Sequence, residues 1–307
     1  PNRTIHTAFE FVDIAGLVAG ASRGEGLGNK FLSHIREVDA IVHVVRCFED
    51  ENITHVSGKV DPLGDIETIN LELILADLES VEKKLDRSRK NLKSGDKKYQ
   101  LEYETLERIK TTLENEKSVR SIELTDDERL VVRDLHLLTM KPVLYVANVS
   151  EQEVSNSKGN KHVQQVKTFA NNQGDEVIVI SAKVESEIAE LEGEDKQLFL
   201  EELGLQESGL NRLIRVAYKL LGLITYFTAG VPEVRAWTIR KGTKAPQAAG
   251  VIHTDFERGF IRAEVVGYQA LIDNGSMNQA KEKGLLRLEG KEYIVQDGDI
   301  MHFRFNV

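Results

Sequence analysis

Residues 7–13 (TAFEFVD) alternate apolar and polar positions and are rich in aromatic and β-branched types, the pattern of a half-buried strand. Three later runs, 40–45, 143–147 and 177–181, are almost continuously apolar, which fits strands of a parallel sheet covered on both faces. Helical patterns separate them, the first predicted over 30–37. Strands alternating with helices predict an α/β fold with crossover connections. The segment 65–124 breaks that rhythm. Leu71, Ile74, Leu78, Val81, Leu85 and Leu92 fall on heptad spacing with Ser88 the polar exception, and Tyr99, Leu106, Ile109 and Leu113 resume it after Lys93-Ser94-Gly95-Asp96. This predicts an antiparallel helical hairpin with a tight turn. One long amphipathic helix on a core is the plainer alternative. Thr125-Asp-Asp-Glu128 is a capping box that opens a fresh helix, and an amphipathic helix is predicted over 209–221. Past Gly230-Val-Pro232, short β-type runs at 235–239, 293–295 and 300–305 alternate with glycine turns. The predicted organisation is a sheet domain over 1–64 and 125–222, a helical hairpin over 65–124, and a β-rich domain over 223–307.

Three short motifs sit where these strands end, the edge at which open α/β sheets bind ligands. Asp13-Ile-Ala-Gly16 follows the first. In P-loop nucleotide hydrolases an aspartate there holds Mg²⁺ through water, and the glycine amide senses the γ-phosphate. The motif alone is common in plain turns. Its extension to Leu32 carries five glycines, Gly16, Gly20, Gly24, Gly26 and Gly28, a poor structural segment but a suitable one for a loop that rearranges close to phosphate. Leu17 stands where a glutamine often orients the attacking water, so another group positions it or turnover is slow. Asn148-Val149-Ser150-Glu151 follows the 143–147 strand, where guanine-binding proteins carry Asn-Lys-x-Asp. Val149 replaces the lysine that lies along the base, and Glu151 replaces the aspartate that pairs with the guanine edge. The longer carboxylate loses that bidentate geometry, which points to ATP ahead of GTP. Ser181-Ala182-Lys183 follows the 177–181 strand, at the loop that packs its backbone against the base. A polar loop after a strand is the plain reading of each motif taken alone.

With 41% hydrophobic residues, the 307-residue chain has ample material for ordinary cores, which excludes wholesale disorder. No run approaches the ~20 apolar residues of a membrane helix. The opening Pro-Asn-Arg-Thr leads into no apolar stretch, so no secretory leader is expected. The single cysteine, Cys47, excludes a disulfide framework and a cysteine-based zinc site, and fits a reducing, cytoplasmic setting. A formal net charge of −10 argues against a general coat of positive charge. DNA is not an expected partner, and a monomer is expected. Against that background, residues 83–98 hold Lys83, Lys84, Arg87, Arg89, Lys90, Lys93, Lys97 and Lys98 with only Asp86 and Asp96. At the tip of the hairpin this run is a candidate RNA contact, or simply a solvated helix end.

Together these motifs resemble the Obg-related translation-factor GTPases and, within them, the Obg-like ATPase family known as YchF. The glycine-rich extension is similar to the Obg-type loop. Asn148-Val-Ser-Glu151 is similar to the YchF variant, and the hairpin after the 40–45 strand matches the family's helical insertion. The end of the chain, Gly290-Lys-Glu-Tyr-Ile-Val-Gln-Asp-Gly298 onward, resembles a TGS domain, a β-grasp module. The resemblance implies a P-loop, G-domain-like parallel sheet with the hairpin inserted and a C-terminal TGS domain. It implies binding and hydrolysis of ATP with Mg²⁺, GTP being the alternative, and a partner in the ribosome, ribosomal RNA or tRNA. A non-enzymatic ribosome or RNA adaptor with a vestigial nucleotide site is the reading from a different class. One departure stands out. No Gly-x-x-x-x-Gly-Lys-[Ser/Thr] occurs in the 307 residues. A phosphate loop is therefore expected upstream of Pro1, on a strand that would separate 7–13 from 40–45. The chain alone is expected to be inactive without it.

Overall fold

The computed structural model describes residues 1–14, 28–53 and 58–306. They divide into a larger unit, 12–213, and a smaller one made of 1–11 with 214–307. The amino-terminal segment departs from its predicted role. Only β1 (Thr4–Ile5) is a strand there, pairing parallel with Val234 and Arg235 of the smaller unit, and residues 7–13 form none. Alternation says which side chains share a face, not which edge the backbone finds. Here Phe9 packs against Phe11 and Tyr218 at ring-centroid distances of 4.9 and 5.5 Å, and Thr7 Oγ1 lies 2.6 Å from Thr238 Oγ1. These contacts tie 1–11 to the smaller unit, although the sequence pattern assigns 1–64 to the nucleotide domain.

In the larger unit, β2 (Ile41–Arg46), β3 (Val143–Asn148) and β4 (Glu176–Ile180) form a parallel sheet in that order. All three lie within a residue of their predicted bounds, and α1 (Gly28–Glu37) leads into β2. The central strand is buried along almost its whole length, as its continuous apolar run requires. Its alternate residues Val143, Tyr145 and Ala147 share one cluster with Cys47 and Ile66.

Between β2 and β3 the chain forms the predicted hairpin of α2 (Pro62–Asn91) and α3 (Lys97–Glu114). Asp61 caps α2 by accepting from Gly64 N, with Pro62 in the first turn. Gly95 at φ 73° and the cap of Asp96 on Lys98 N (2.9 Å) break the helix between them. That excludes the single long helix. The seam buries Ile74, Val81, Leu85, Leu106, Ile109 and Leu113. Ser88 is fully buried there, and its hydroxyl has no partner. Leu71 leaves the stripe and is 41% exposed, because the root of α2 turns Leu73 and Ala76 toward α1 instead. The capping box opens α4 (Asp126–Val132), with Thr125 N donating to Glu128 Oε2 at 2.8 Å.

His43, on β2 and 5.6 Å from the Tyr145 ring, is pulled down to about 4 by burial, against the opposing charge of Asp65. Below its ordinary value of 6.5, the unfolded chain takes up a proton that the folded chain refuses. Stability is therefore lost as pH falls from about 6.5 to about 4. We expect this group to contribute up to about 3 kcal/mol of that loss. Urea titrations across the window should show a shallower slope for His43→Gln.

After β3 come α5 (Lys161–Gln173), then α6 (Ala182–Ala189), α7 (Gly193–Glu202) and α8 (Gly209–Leu220) beyond β4. The smaller unit carries β5 (Leu223–Ala229), β6 (Val234–Arg240), β7 (Phe260–Gly267), β8 (Arg287–Glu289) and β9 (Asp299–Phe305) in the order β1-β6-β5-β9-β7-β8. Its last strand lies parallel to β5, the β-grasp arrangement that the resemblance implies. Helix α9 (Ala245–Ile252) sits on one face through Ala245, Ala248 and Ala249, small enough for close approach. Tyr226 OH donates to Ala248 O at 2.8 Å beneath it. The predicted run 293–295 forms only an isolated bridge between Lys244 and Ile294.

Candidate nucleotide site

The ends of β3 and β4 adjoin, Asn148 lying opposite Ile180 in register. Three bonds cross between the loops that follow. Asn148 Oδ1 accepts from Ala182 N at 2.9 Å, Val149 N donates to Ile180 O at 2.9 Å, and Lys183 Nζ lies 2.6 Å from Glu151 Oε2. Asn148, Glu151, Ser181, Ala182 and Lys183 are thus brought together as one wall. The Glu151 hydrogen bond and charge hold the Lys183 ammonium above its ordinary range. Ser181 caps nothing at the start of α6, and its hydroxyl is buried with no partner.

Val149 does not play its expected part. Its side chain is 2% exposed and packs with Val143, Tyr145 and Ala147, because the two-residue alternation of β3 runs on past the strand's end. It cannot lie along a base. Only its backbone belongs to the wall.

The scaffold behind the wall has no motif of its own. Ser150 Oγ donates to Glu153 Oε2 at 2.8 Å, and Asn160 Nδ2 donates to Glu153 Oε1 (3.0 Å) and to Cys47 O (2.7 Å). Asn160 Oδ1 also accepts from Val163 N at 2.9 Å, and its place as helix cap was the one readable signal. Burial, helped by Glu153, pushes the Cys47 thiol up to about 12, so it is a packing residue rather than a nucleophile. On the other side of the wall, Gly209 N and Leu210 N donate to the Glu185 carboxylate at 2.6 and 3.0 Å. A Cβ on Gly209 would come within 2.5 Å of Ile180 Cγ2, so only glycine lets α8 start so close to β4.

Asp13 is exposed, and its neighbour Ile14 packs on the cluster of Leu32, Ile35 and Leu138. Gly16, Leu17 and the rest of the glycine-rich extension up to Leu27 lie outside the described residues. Among the described residues, no group of three or more His, Cys, Asp or Glu side chains is placed to hold a metal ion. A Mg²⁺ ion near Asp13 would take its remaining ligands from water and phosphate oxygens, its ordinary habit in such sites.

The basic run divides into two kinds of side chain. Lys84 is turned into the protein, donating to Val131 O (2.6 Å) and pairing with Asp134 (2.5 Å). Lys83 pairs with Glu79, and Arg89 reaches Glu107 across the hairpin at 3.7 Å. Arg87, Lys90, Lys93, Lys97 and Lys98 are exposed around the turn. The candidate nucleic-acid face is therefore this smaller set, since α2 carries Lys84 round to α4. Among the described residues, no helix is long and apolar enough to cross a membrane.

A family described as 50S ribosome-binding GTPase matches residues 2–94. The YchF-GTPase C-terminal family, described as a protein of unknown function, matches 223–306. A Bacillus subtilis protein named ribosome-binding ATPase YchF is 64% identical over all of this chain and 84% of its own length. Its namesake in Escherichia coli O157:H7 is 54% identical with the same coverage. The solved structure of the Schizosaccharomyces pombe YchF GTPase is similar with a TM-score of 0.81 and 40% identity, over 91% of this chain and 75% of that one.

Proposed function

The chain belongs to the YchF family of P-loop nucleotide hydrolases, and from that membership and the loop geometry we propose that it binds ATP with Mg²⁺ and works as a ribosome-associated ATPase. The observation that carries the reading is the wall formed by Asn148, Glu151 and the Ser181–Lys183 backbone. The relatives named ribosome-binding ATPases support the activity and the partner.

Asn148 orients the loop through Ala182 N, leaving backbone groups to meet the base. Glu151 is held by Lys183 and so is drawn away from the axis on which a guanine edge would be read. Guanine offers two adjacent donors to a carboxylate, whereas adenine N1 is an acceptor that a carboxylate repels. A carboxylate held aside therefore favours adenine. When bound, the nucleotide supplies the phosphates and ion whose presence the loop around Asp13 and Gly16 reports. Hydrolysis rests on a phosphate loop joined to these residues. The β-grasp unit is assigned as a TGS domain, and it and the exposed cations of the hairpin turn form the ribosome-facing parts, in a cytoplasmic protein.

Glu151→Asp tests the reading of the base. The shorter carboxylate moves back from Lys183 toward the guanine-reading position, so preference should shift toward GTP by about 1–3 kcal/mol, the scale of one hydrogen-bonding mismatch. Competition titration of a fluorescent nucleotide analogue with ATP and GTP reads the shift. An unchanged ratio would remove Glu151 from base selection. Val149 is left untouched, because a lysine at that buried position would disrupt the core rather than probe the base.

A further inference from the structure

Where α4 runs into the turn before β3, the larger unit carries an open pocket of about 490 Å³. Its floor is apolar, with Val132 and Leu137 buried and Met140 half-buried. At its rim stands Leu130, 62% exposed. Around that floor are Arg129, Arg133, Lys141 and His136, against the single carboxylate of Asp126. In a chain of net charge −10 this is a local reversal of sign.

Two cations of this pocket, Arg129 and Lys141, are fixed by backbone carbonyls. Arg129 Nε donates to Leu124 O at 3.2 Å, and Lys141 Nζ donates to Arg36 O at 3.1 Å and to Val38 O. Arg36, just behind, donates to Leu135 O and His136 O at 3.1 and 3.2 Å. Backbone carbonyls fix these groups in place but carry no net charge, so their field still reaches the pocket. Of the neighbouring acids, Glu128 pairs with Arg108 and Asp134 with Lys84, while Asp39 and Asp77 offset part of the charge of Lys141 and leave Arg129 and Arg133 as the main cations of the rim. His136 completes the rim from a left-handed backbone, φ 45°, uncommon and mildly costly outside glycine.

From this we propose that the pocket is a docking site for an acidic segment of a partner protein, one leucine-sized side chain entering the apolar floor while flanking carboxylates meet Arg129, Arg133 and Lys141. The match of apolar floor to apolar anchor and of cations to carboxylates argues for a peptide. RNA bases would call for broad stacking surfaces; the pocket is lined by no Phe, Tyr or Trp, so only His136 and the arginine planes at the rim could stack, and the apolar floor of Val132 and Leu137 would stay unfilled. The proposal is independent of the nucleotide reading.

The probe is a short fluorescein-labelled peptide of alternating glutamate and leucine, with a control in which serine replaces leucine. Anisotropy titration of the whole chain should show the leucine peptide binding at least about tenfold more tightly than the control. Leu130→Ser and Arg133→Glu, both at exposed positions, should each weaken it about fivefold or more, and added salt should weaken it further. Both variants should unfold at the wild-type temperature. Equal binding of the two peptides would overturn the proposal. So would variants that fold and bind like wild type, or displacement of the peptide by a polyuridine strand that binds more tightly at the same residues. If either variant proves unstable, the other and the serine control still decide the question.

Discussion

Replacing Lys90, Lys93, Lys97 and Lys98 together with glutamate should lower association with ribosomes about a hundredfold at low salt and flatten its salt dependence. Each cation that meets an RNA phosphate releases a counterion, so removing several contacts reduces both the affinity and the slope of its logarithm against salt. The four are exposed around the Gly95 turn, and reversing them disturbs none of the seam formed by Leu85, Leu106 and Ile109. Nucleotide affinity should not move. Reversing Lys83, already paired with Glu79, should matter far less. Reversing Lys84 should act on stability instead, because its amine is bonded to Val131 O and Asp134. Co-sedimentation at several salt concentrations distinguishes these outcomes, and binding unchanged in the fourfold variant would retire the hairpin turn as an RNA contact.

Asp77→Ala should destabilise the larger unit by about 3–5 kcal/mol, the range seen when a buried charged group is removed from its partners. Asp77 is fully buried on α2. It accepts from Leu138 N (2.9 Å), Thr139 N (2.8 Å) and Thr139 Oγ1 (2.8 Å), with Arg36 Nη1 at 3.8 Å. The turn that feeds β3 therefore hangs on one carboxylate from the root of the hairpin. Burial pushes that carboxyl above its ordinary range, against the pull of the three donors around it and of the Arg36 charge. Alanine leaves two backbone N–H groups buried without acceptors. Asp77→Asn keeps one acceptor and should lose less. Chemical denaturation read by far-UV circular dichroism measures both, and a loss under about 1 kcal/mol for alanine would show that water replaces the carboxylate freely.

Much of this architecture is legible in the sequence, and the exceptions have physical causes. The parallel strands announce themselves because a strand covered on both faces needs an unbroken apolar run, as Val143 to Ala147 shows. The hairpin announces itself because its seam repeats and its turn contains Gly95. Residues 7–13 mislead because alternation is satisfied equally well by a sheet edge or by loose packing of Phe9 on Tyr218. Asp77 looks like any solvent-facing acid of an amphipathic helix, since its partners lie 61 and 62 positions away. Val149 reads as a ligand contact by position in its motif, yet β3 alternation sends it inward. Glu151 and Lys183 are each visible in motifs, but only the fold shows that they hold each other.

The measurement that tests the account most directly is calorimetric titration of Mg–ATP and Mg–GTP into the protein, with Asn148→Ala as the variant that unties the Ala182 loop. The account predicts that ATP binds at least as tightly as GTP, and that Asn148→Ala weakens both by about 1–3 kcal/mol. Wild-type protein that binds GTP about a hundredfold more tightly than ATP, a difference of about 2.7 kcal/mol, would contradict it.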